Sequence, residues 1–567
     1  MTKAVWKLKS SDPRSAETLA RELGLPPATA RVLSARGYND PAAARRFLIP
    51  RLCDLHDPFL IPDMDKAVER MTRAVAAKEK VFVFGDYDVD GVTSISALAE
   101  FLAAAGLSFA VHQPNRLVEG YGLSDHGVDL ARKFGARLLI ALDCGTEAGA
   151  AISRAAAQGL DVIVIDHHEP KGALPPALAV LNPARADSSY PFRDLAAVGV
   201  AIKFLQAGEK AWSVSLPWKR LWSLAAAGTV ADVVPLIDEN RIFVSLGLHH
   251  LRRGEDPAFA ALLSAAGIDP GELTASKLAF QIAPRLNAAG RLGVPELGRE
   301  LFGSSDPAEI ARIAARLNLL NQNRRSLQER ILIEAEEMIG REPERYLKRV
   351  LIVAGEGWSK GVVGIVASKL QETYGRPTVV IALEGEAGTG SGRSVPGFDL
   401  FSALSACSGL LEKFGGHKQA AGLSVSRERI EDFRAALDRI ALSVLGEELA
   451  APPLRLDASL DFAEMDDSLL DALERFEPCG MGNPRPLFGS RAVRLRAPPR
   501  VIGKGENHLS LWLEQGGRSF SAVGWGMAGK LKEISGPALD LVYRLERDTY
   551  NGRARIRLNL ADVRESL

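Results

Sequence analysis

Three short apolar runs, each followed by acidic or histidine residues, constrain the fold of this 567-residue chain most strongly. They are VFVFG at 81–85, LLIAL at 138–142 and DVIVI at 161–165, and helical patterns separate them. Continuous apolar strands that alternate with helices indicate a parallel sheet with helices on both faces. In such sheets, ligands bind beside the carboxyl ends of the strands. The sequence therefore predicts an α/β fold with a site at this edge.

Carboxylate and imidazole side chains follow each of these runs, and a further aspartate ends a helix of small residues. These residues are Asp86, Asp88, Asp90, Asp143, Asp166, His167, His168 and Asp232. Close carboxylates raise each other's pKa, so their charge needs a cation. Oxygen and nitrogen ligands together suit Mn²⁺ or Mg²⁺ better than a thiolate zinc site. The segment GDYDVDG alone could equally be a surface turn, but the convergence of four such ends favours a two-metal site.

The patterns divide the chain into six segments, with a multidomain α/β architecture as the predicted fold class. The segments are an N-terminal helical segment (1–65), the parallel-sheet domain (66–235), a helical region with a connecting helix at 306–340 (236–345), a second α/β domain (346–450), a linking segment (451–484) and a β-rich unit (485–567). The last unit suggests a five-stranded OB-type barrel with a hairpin turn at Asn551-Gly552.

The chain has 70 basic and 70 acidic residues, so its net charge does not point to nucleic acid. From Arg485 onward, however, 15 basic and 8 acidic residues leave a net charge of +7. A local basic surface of this kind suits phosphate binding. Trp512, Trp525 and Tyr550 could be stacking platforms for bases, although strand alternation could also bury them. We interpret His508 as structural.

The chain has no run of 18 or more apolar residues, so we expect no membrane span. Its N-terminus lacks the apolar stretch of a signal peptide. The four cysteines are scattered, without zinc-ligand spacing. These features predict a cytoplasmic protein with free thiols and no structural zinc.

The motifs GDYDVDG, LDCGT, DHH and GTVADVV resemble the successive motifs of the DHH phosphoesterase superfamily. Other segments resemble the RecJ exonucleases within it, and the resemblance runs from about residue 40 to the C-terminus. These segments are NRLVEGYGLS (115–124), FQIAPRLNAAGRLG (280–293), LNQNRR (320–325), GVVGIVASKL (361–370), GSGRS (390–394), FGGHKQAAG (414–422) and FEPCGMGNPRP (476–486). One departure is Ser359, which stands after Trp358 where the family usually has histidine.

The resemblance implies a DHH domain and a DHHA1 domain joined by a long helix, followed by an OB-fold domain. It implies metal ligands among Asp86, Asp88, Asp90, Asp143, His167, His168 and Asp232. Asp86 could instead orient a ligand, and His168 could play either part. The implied catalytic residues are Asp88, Asp90, Asp143, His167, His168, Asp232 and His417, with two Mn²⁺ or Mg²⁺ ions as cofactors.

Candidate DNA-binding residues come from the same motifs. They are Arg116, Tyr121, Arg285, Arg291, Ser391, Arg393, Gly415, Gly416 and His417. In GSGRS, glycine lets the backbone approach a phosphate and arginine supplies several donors, although the segment alone could be an ordinary turn. Tyr121 could stack on a base or pack in the core.

The resemblance implies a 5′-to-3′ exonuclease specific for single-stranded DNA that acts in recombination and repair. The polarity comes from the resemblance alone, as do partnerships with a single-strand-binding protein and a RecQ-type helicase. We expect a monomer that does not associate with membranes. Two alternatives stay open: a DHH phosphatase or dinucleotide phosphodiesterase, and a non-catalytic scaffold. The OB-like tail disfavours the first, and the intact metal motifs disfavour the second.

Overall fold

The structure is a computed structural model that describes residues 5–115, 119, 122–446, 453–534, 536–548 and 555–566. The N-terminal segment holds a short strand and three helices: β1 (Trp6–Leu8), α1 (Pro13–Leu23), α2 (Pro27–Ala35) and α3 (Pro41–Leu48). Each helix begins at a proline, which suits the first turn because an N–H there has no intrahelical partner. In the described part of the chain, only the short strand precedes these helices.

The first sheet is parallel and lies between two helical layers. Its elements are α4 (Met64–Ala77), β2 (Val81–Gly85), α5 (Val89–Ala104), β3 (Phe109–His112), α6 (Asp125–Phe134), β4 (Leu138–Leu142), α7 (Gly149–Ala157), β5 (Asp161–Ile165) and β6 (Ala179–Leu181). The strand order is β3-β2-β4-β5-β6, and all four pairings are parallel. Alternate residues of β2 enter separate cores on the two faces of the sheet. The predicted parallel sheet is confirmed.

A helical region follows and shares the larger of these two cores. It comprises α8 (Ala197–Trp212), α9 (Trp218–Ala231), α10 (Asp238–Arg252), α11 (Pro257–Ala266), α12 (Ala275–Lys277), a π-helical turn (Leu278–Ile282), α13 (Ala283–Arg291), α14 (Glu296–Gly303), α15 (Pro307–Arg341) and α16 (Pro343–Tyr346). The helix α15 is the predicted connecting helix. Within the described ranges, no helix is both long and apolar enough to cross a bilayer.

The second sheet mixes one parallel pairing with three antiparallel ones. Its elements are β7 (Leu351–Glu356), α17 (Val363–Tyr374), β8 (Thr378–Glu384), β9 (Ala387–Arg393), α18 (Leu400–Ala406), β10 (Lys413–Gly416), β11 (Ala420–Ser426) and α19 (Ile430–Leu445). The order is β10-β11-β9-β8-β7, with β7 parallel to β8. The sheet places the GSGRS motif on β9 and the two glycines of GGH on β10.

The C-terminal sheet has seven strands in the described residues, where the sequence suggested five. Its elements are β13 (Ala458–Ser459), α20 (Asp467–Glu474), β14 (Phe488–Leu495), β15 (Arg500–Ile502), β16 (His508–Gln515), β17 (Arg518–Gly524), β18 (Leu539–Asp548) and β19 (Arg555–Glu565). The preceding strand, β12 (Leu454–Leu456), lies outside this sheet. An extra pairing between β14 and β16 closes the sheet into a barrel. The predicted turn at Asn551-Gly552 lies outside the described residues, although β18 and β19 pair as an antiparallel hairpin would.

The two ends of the chain form one structural unit. Strand β1 pairs with β12, and helices α1–α3 share a hydrophobic core with the barrel. This unit is tied to the helical region by Arg241, which is 1% exposed. Its guanidinium donates hydrogen bonds to five backbone carbonyls, those of Phe47, Arg475, Phe476, Glu477 and Pro478. Burial lowers the pKa of Arg241 to about 10. The FEPCGMGNPRP segment is thus held by a buried cation.

We expect Arg241→Met to lower the free energy of unfolding by at least about 3 kcal/mol, because each buried acceptor left unsatisfied costs about 1–3 kcal/mol. The measurement is the midpoint of urea unfolding. Arg253→Met is the matched control, since Arg253 follows the same helix and its side chain is 62% exposed. Equal midpoints for the two variants would show that the five carbonyls find other donors.

Candidate metal centre and DNA-facing cleft

The carboxyl ends of three adjacent strands deliver the predicted ligands to one edge of the first sheet. The loop 86–90 follows β2, Asp143 follows β4, and the residues 166–168 follow β5. Asp143 has a φ of 58°, a left-handed conformation that non-glycine residues seldom adopt. Such local strain is characteristic of functional sites, where the surrounding structure fixes the backbone.

His167 lies at the centre of the cluster. Its Nε2 atom is 3.4 Å from Asp143 Oδ1, 3.6 Å from Asp232 Oδ2 and 3.9 Å from Asp90 Oδ2. This buried Nε2 has no hydrogen-bond partner among the described residues. Ligand atoms that share an octahedral ion at about 2.1 Å lie roughly 3 Å apart. The spacing therefore fits a shared divalent cation better than direct hydrogen bonds.

The side chains form three overlapping groups, in each of which one ligand atom per residue lies within 4.8 Å of the others. The groups are Asp90 with His167 and Asp232, Asp143 with His167 and His168, and Asp86 with Asp88 and Asp143. Asp143 and His167 each belong to two groups. A shared carboxylate is the arrangement by which two cations lie about 3.5–4 Å apart in two-metal sites.

The N-terminus of α8 holds Asp90 in place. The Ala197 N–H donates to Asp90 Oδ2 at 2.7 Å, and the Val198 N–H donates to Oδ1 at 2.9 Å. Burial, followed by the charge of Asp232, nevertheless raises the pKa of Asp90 to about 7. Burial and the charge of Asp88 raise the pKa of Asp232 to about 7. Burial and neighbouring carboxylates also raise the pKa of Asp143. These three carboxyl groups can therefore all be ionised only when positive charge lies beside them.

Asp166 orients the two histidines, a role that the sequence did not reveal. It accepts hydrogen bonds from the backbone N–H groups of His167 and His168, and from Thr146 N at 3.0 Å. The distance from Asp166 Oδ1 to His168 Nδ1 is 2.7 Å. Burial opposes the charge on His168, but this bond outweighs it and raises the pKa to about 9. With Nδ1 engaged, His168 can offer only Nε2 to a metal. The only sequence signal for this role was the Asp-His-His motif itself.

The segment that follows Asp232 is supported by the FEPCGMGNPRP loop. Val233 has a φ of 63°, which is unusual for a β-branched residue. The Leu236 N–H donates to Met481 O at 2.7 Å. A Cβ on Gly482 would lie 2.8 Å from Pro235, so glycine is needed there for close approach. The unit formed by the two chain ends thus contacts the backbone four residues after Asp232, a candidate ligand.

The second sheet approaches this edge through GGH, while GSGRS lies on β9, which β11 separates from β10. Arg393 donates to Ser368 Oγ at 3.1 Å and to Ser391 Oγ at 3.0 Å. Lys171 Nζ, from the parallel-sheet domain that carries the metal cluster, donates to Gly416 O at 3.4 Å. A cavity of about 180 Å³ lies between the two domains. Its lining includes Cys144, Thr146, His168, Lys171 and His417. Burial and the charge of Lys171 lower the pKa of His417, which favours its neutral form.

Arg285 and Arg291 both lie on α13 of the helical region. Arg285 Nε donates to Asn318 Oδ1 at 3.0 Å, and Arg291 Nη1 donates to Gly361 O at 3.2 Å across to the second sheet. Arg116 and Tyr121 lie outside the described residues.

The barrel aromatics lie in a separate unit. Trp512 and Trp525 are 40% and 54% exposed, whereas Tyr550 lies outside the described residues. The ring of His508 contacts Trp525 and accepts a hydrogen bond from Gly526 N, a structural role. Ser359, the departure from the family pattern, accepts backbone hydrogen bonds at the start of α17.

Three family models match this chain. They are the DHH family N-terminal domain at residues 80–229, the DHHA1 domain at 347–442 and the RecJ OB domain at 456–562. The single-stranded-DNA-specific exonuclease RecJ of Bacillus subtilis strain 168 is 35% identical over 569 residues, which cover 99% of this chain and 71% of that protein. This chain belongs to the RecJ family. The RecJ OB match includes β13, so part of the 451–484 segment contributes to the barrel.

Solved RecJ structures have the same architecture. Crystal structures of RecJ from Thermus thermophilus in complex with Mn²⁺ and with Mg²⁺ match with TM-scores of 0.85 and 0.78. Their identities to this chain are 27% and 26%. Both cover 99% of it, and the matches span 80% and 79% of the Thermus chains. The DHH, DHHA1 and OB-type domains of the predicted fold class are confirmed, and the cation type agrees with the oxygen and nitrogen ligands of the cluster.

We expect Gly228→Ala to weaken Mn²⁺ binding by at least about tenfold, the usual cost of disturbing groups that support metal ligands. A Cβ there would overlap Thr93 Oγ1 and lie 2.9 Å from Asp90 Oδ1, so the carboxylate must move. Calorimetric titration with Mn²⁺ measures the effect. Gly303→Ala is the control, because a Cβ at Gly303 meets open space. Equal affinities would mean that the position of Asp90 is not critical.

Proposed function

We propose that this chain is a metal-dependent exonuclease that degrades single-stranded DNA from the 5′ end in DNA recombination and repair. The observation that carries the proposal is the buried His167 Nε2 with three carboxylates 3.4–3.9 Å away. The names of the relatives, single-stranded-DNA-specific exonuclease RecJ, support the substrate and the reaction. The polarity is supported by the family resemblance alone.

We assign the site residues as follows. Asp90, Asp143, His167 and Asp232 hold the metals, because their ligand atoms converge. Asp86, Asp88 and His168 supply the remaining ligands of the two metal ions. Asp88 also caps α5 by accepting from Gly91 N at 3.1 Å, so its carboxylate is held by the loop it belongs to. In such sites a pair of divalent cations lowers the pKa of water and stabilises charge on phosphate oxygens.

The remaining residues position the DNA. Arg393 and Ser391 present donors to phosphate oxygens from β9, and the neutral imidazole of His417 can donate one more. Arg285 and Arg291 supply positive charge from the helical region. With these donors and two cations, no protein nucleophile is required for hydrolysis of a phosphodiester.

Two hydrogen-bonded connections between domains bound the cleft, and this supports selection of a single strand. Lys171 joins the parallel-sheet domain to Gly416 of the second sheet, and Arg291 joins the helical region to Gly361. An extended single strand is narrower than a duplex, so it can enter between these connections. The basic barrel binds the strand farther from the site.

We further propose that the protein acts as a monomer in the cytoplasm, together with a single-strand-binding protein and a RecQ-type helicase. The support is the family resemblance and the need of a single-strand nuclease for unwound DNA.

We expect Asp143→Asn to lower the rate of DNA cleavage by about 100-fold or more, since loss of a ligand exceeds the effect of losing its support. Without metal, its melting temperature should equal or exceed that of the wild type, because burial and neighbouring charge disfavour this carboxylate. The increase in melting temperature produced by Mn²⁺ should shrink. Asp129→Asn, at a half-exposed carboxylate on α6, is the control. Near-normal cleavage in the variant, or in wild type with excess EDTA, contradicts the two-metal site.

Polarity and strand choice are tested with end-labelled DNA and Mn²⁺. A 5′-labelled single strand should release its label at once as short products, whereas a 3′-labelled strand should shorten progressively. A blunt duplex of the same sequence should be degraded much more slowly. Early release of the 3′ label would reverse the assigned polarity, and equal rates on duplex would exclude a cleft that selects single strands.

A further inference from the structure

An aromatic side chain stands in solvent beside the candidate DNA path. Phe280 is 78% exposed, the highest value among the large hydrophobic side chains of the described residues. Its neighbours Leu278 and Ile282 are buried. The three residues lie in a π-helical turn directly before α13, and single π-helical turns occur frequently at functional sites. The local backbone therefore anchors apolar residues on both sides while presenting this ring outward.

A guanidinium group is bound to the backbone of the residue that follows Phe280. Arg285 donates through Nη1 to the backbone carbonyl of Gln281, the residue that follows Phe280. Its Nε donates to Asn318 Oδ1 on α15. Both partners are neutral, so the positive charge of Arg285 is not compensated by them.

Two further arginines extend the positive charge along α15. Arg324 donates to the amide oxygens of Asn321 and Gln328, which are also neutral. Among the described residues, no carboxylate forms an ion pair with Arg285, Arg324 or Arg325. Burial, and then the charge of Arg325, lowers the pKa of both Arg285 and Arg324. Arg325 thus repels both of the other arginines, and positive charge clustered in this way attracts anions. We call Arg285, Arg324 and Arg325 the cationic patch.

Helix α13 connects this patch to the metal cluster. Asn287 Oδ1 accepts a hydrogen bond from Val89 N, in the loop that carries the first aspartates. A Cβ on Gly290 would lie 3.0 Å from the Tyr87 ring, so the helix packs closely on the same loop. Phe280 lies seven residues before Asn287, roughly 10 Å away along a helical axis. A strand with its scissile phosphate at the metals can therefore reach the patch.

We propose that Phe280 stacks on a base of the bound single strand, while Arg324 and Arg325 bind its phosphates alongside Arg285. The inference rests on the proposed function, and it adds three residues to the DNA-binding set. The exposed ring and the uncompensated guanidinium groups, of which Arg285 binds the backbone beside Phe280, match the two chemical features of any nucleotide, a π-face and a phosphate.

The test is binding of short oligo-dT strands in EDTA, with a single abasic position moved along the strand. For the wild type, affinity should fall when the abasic position meets Phe280. Phe280→Ala should weaken binding of intact oligo-dT by about fivefold or more. It should also remove the sensitivity to that one abasic position, an effect that a change in stability does not produce. Phe280→Trp should retain both properties.

The control is Phe59→Ala, because Phe59 is also exposed, at 52%, but lies beside Asp57 in the N-terminal segment. An unchanged affinity and an unchanged abasic profile in Phe280→Ala would overturn the stacking role. Arg325→Gln should make the log–log salt dependence of binding shallower by roughly 0.7, the value for one phosphate contact. An unchanged slope in both Arg324→Gln and Arg325→Gln would overturn the phosphate contacts. If wild-type protein binds no single strand at all, the proposed function fails, and this inference with it.

Discussion

Buried carboxylates that lie within a few ångströms of one another cannot all be charged unless cations compensate them. Asp90, Asp143 and Asp232 meet this constraint, and the surrounding structure is built to hold them together. The N-terminus of α8 stabilises one carboxylate, a left-handed backbone aims another, and the end of α9 delivers the third. Because the repulsion is relieved only when positive charge is present, metal binding and the stability of this region are linked.

The same edge of the sheet depends on residues far away in the sequence. The barrel and the N-terminal helices share one core, and Arg241 fastens this unit to the helical region. From there the 476–486 loop contacts the backbone just after Asp232. The unit formed by the two chain ends therefore has a structural role beside the DNA binding that we propose for its barrel, because its 476–486 loop also supports the geometry of a candidate ligand.

Helix α13 links chemistry to DNA binding in a similar way. Its Asn287 and Gly290 contact the aspartate loop, and its Arg285 donates to Asn318 on α15. Phe280 is exposed in the turn directly before the helix. A single rigid element thus sets the distance between the site of hydrolysis and the place where we propose that the strand is held. Precise spacing of this kind matters because small displacements of a reacting group cost large factors in rate.

The sequence alone predicted the parallel sheet, the connecting helix α15 and the aspartates and histidines at the strand ends, because these depend on local apolar periodicity and on short motifs. It did not reveal Asp166 as the residue that orients His168, since the Asp-His-His motif gives the order of the residues but not which side chains pair. Nor did it show that the two chain ends share a core, or that Arg241 serves five carbonyls. The hydrogen bonds of Arg241 to these carbonyls and the contacts between the two chain ends join residues at least 194 positions apart, so only the packing of the folded chain decides them.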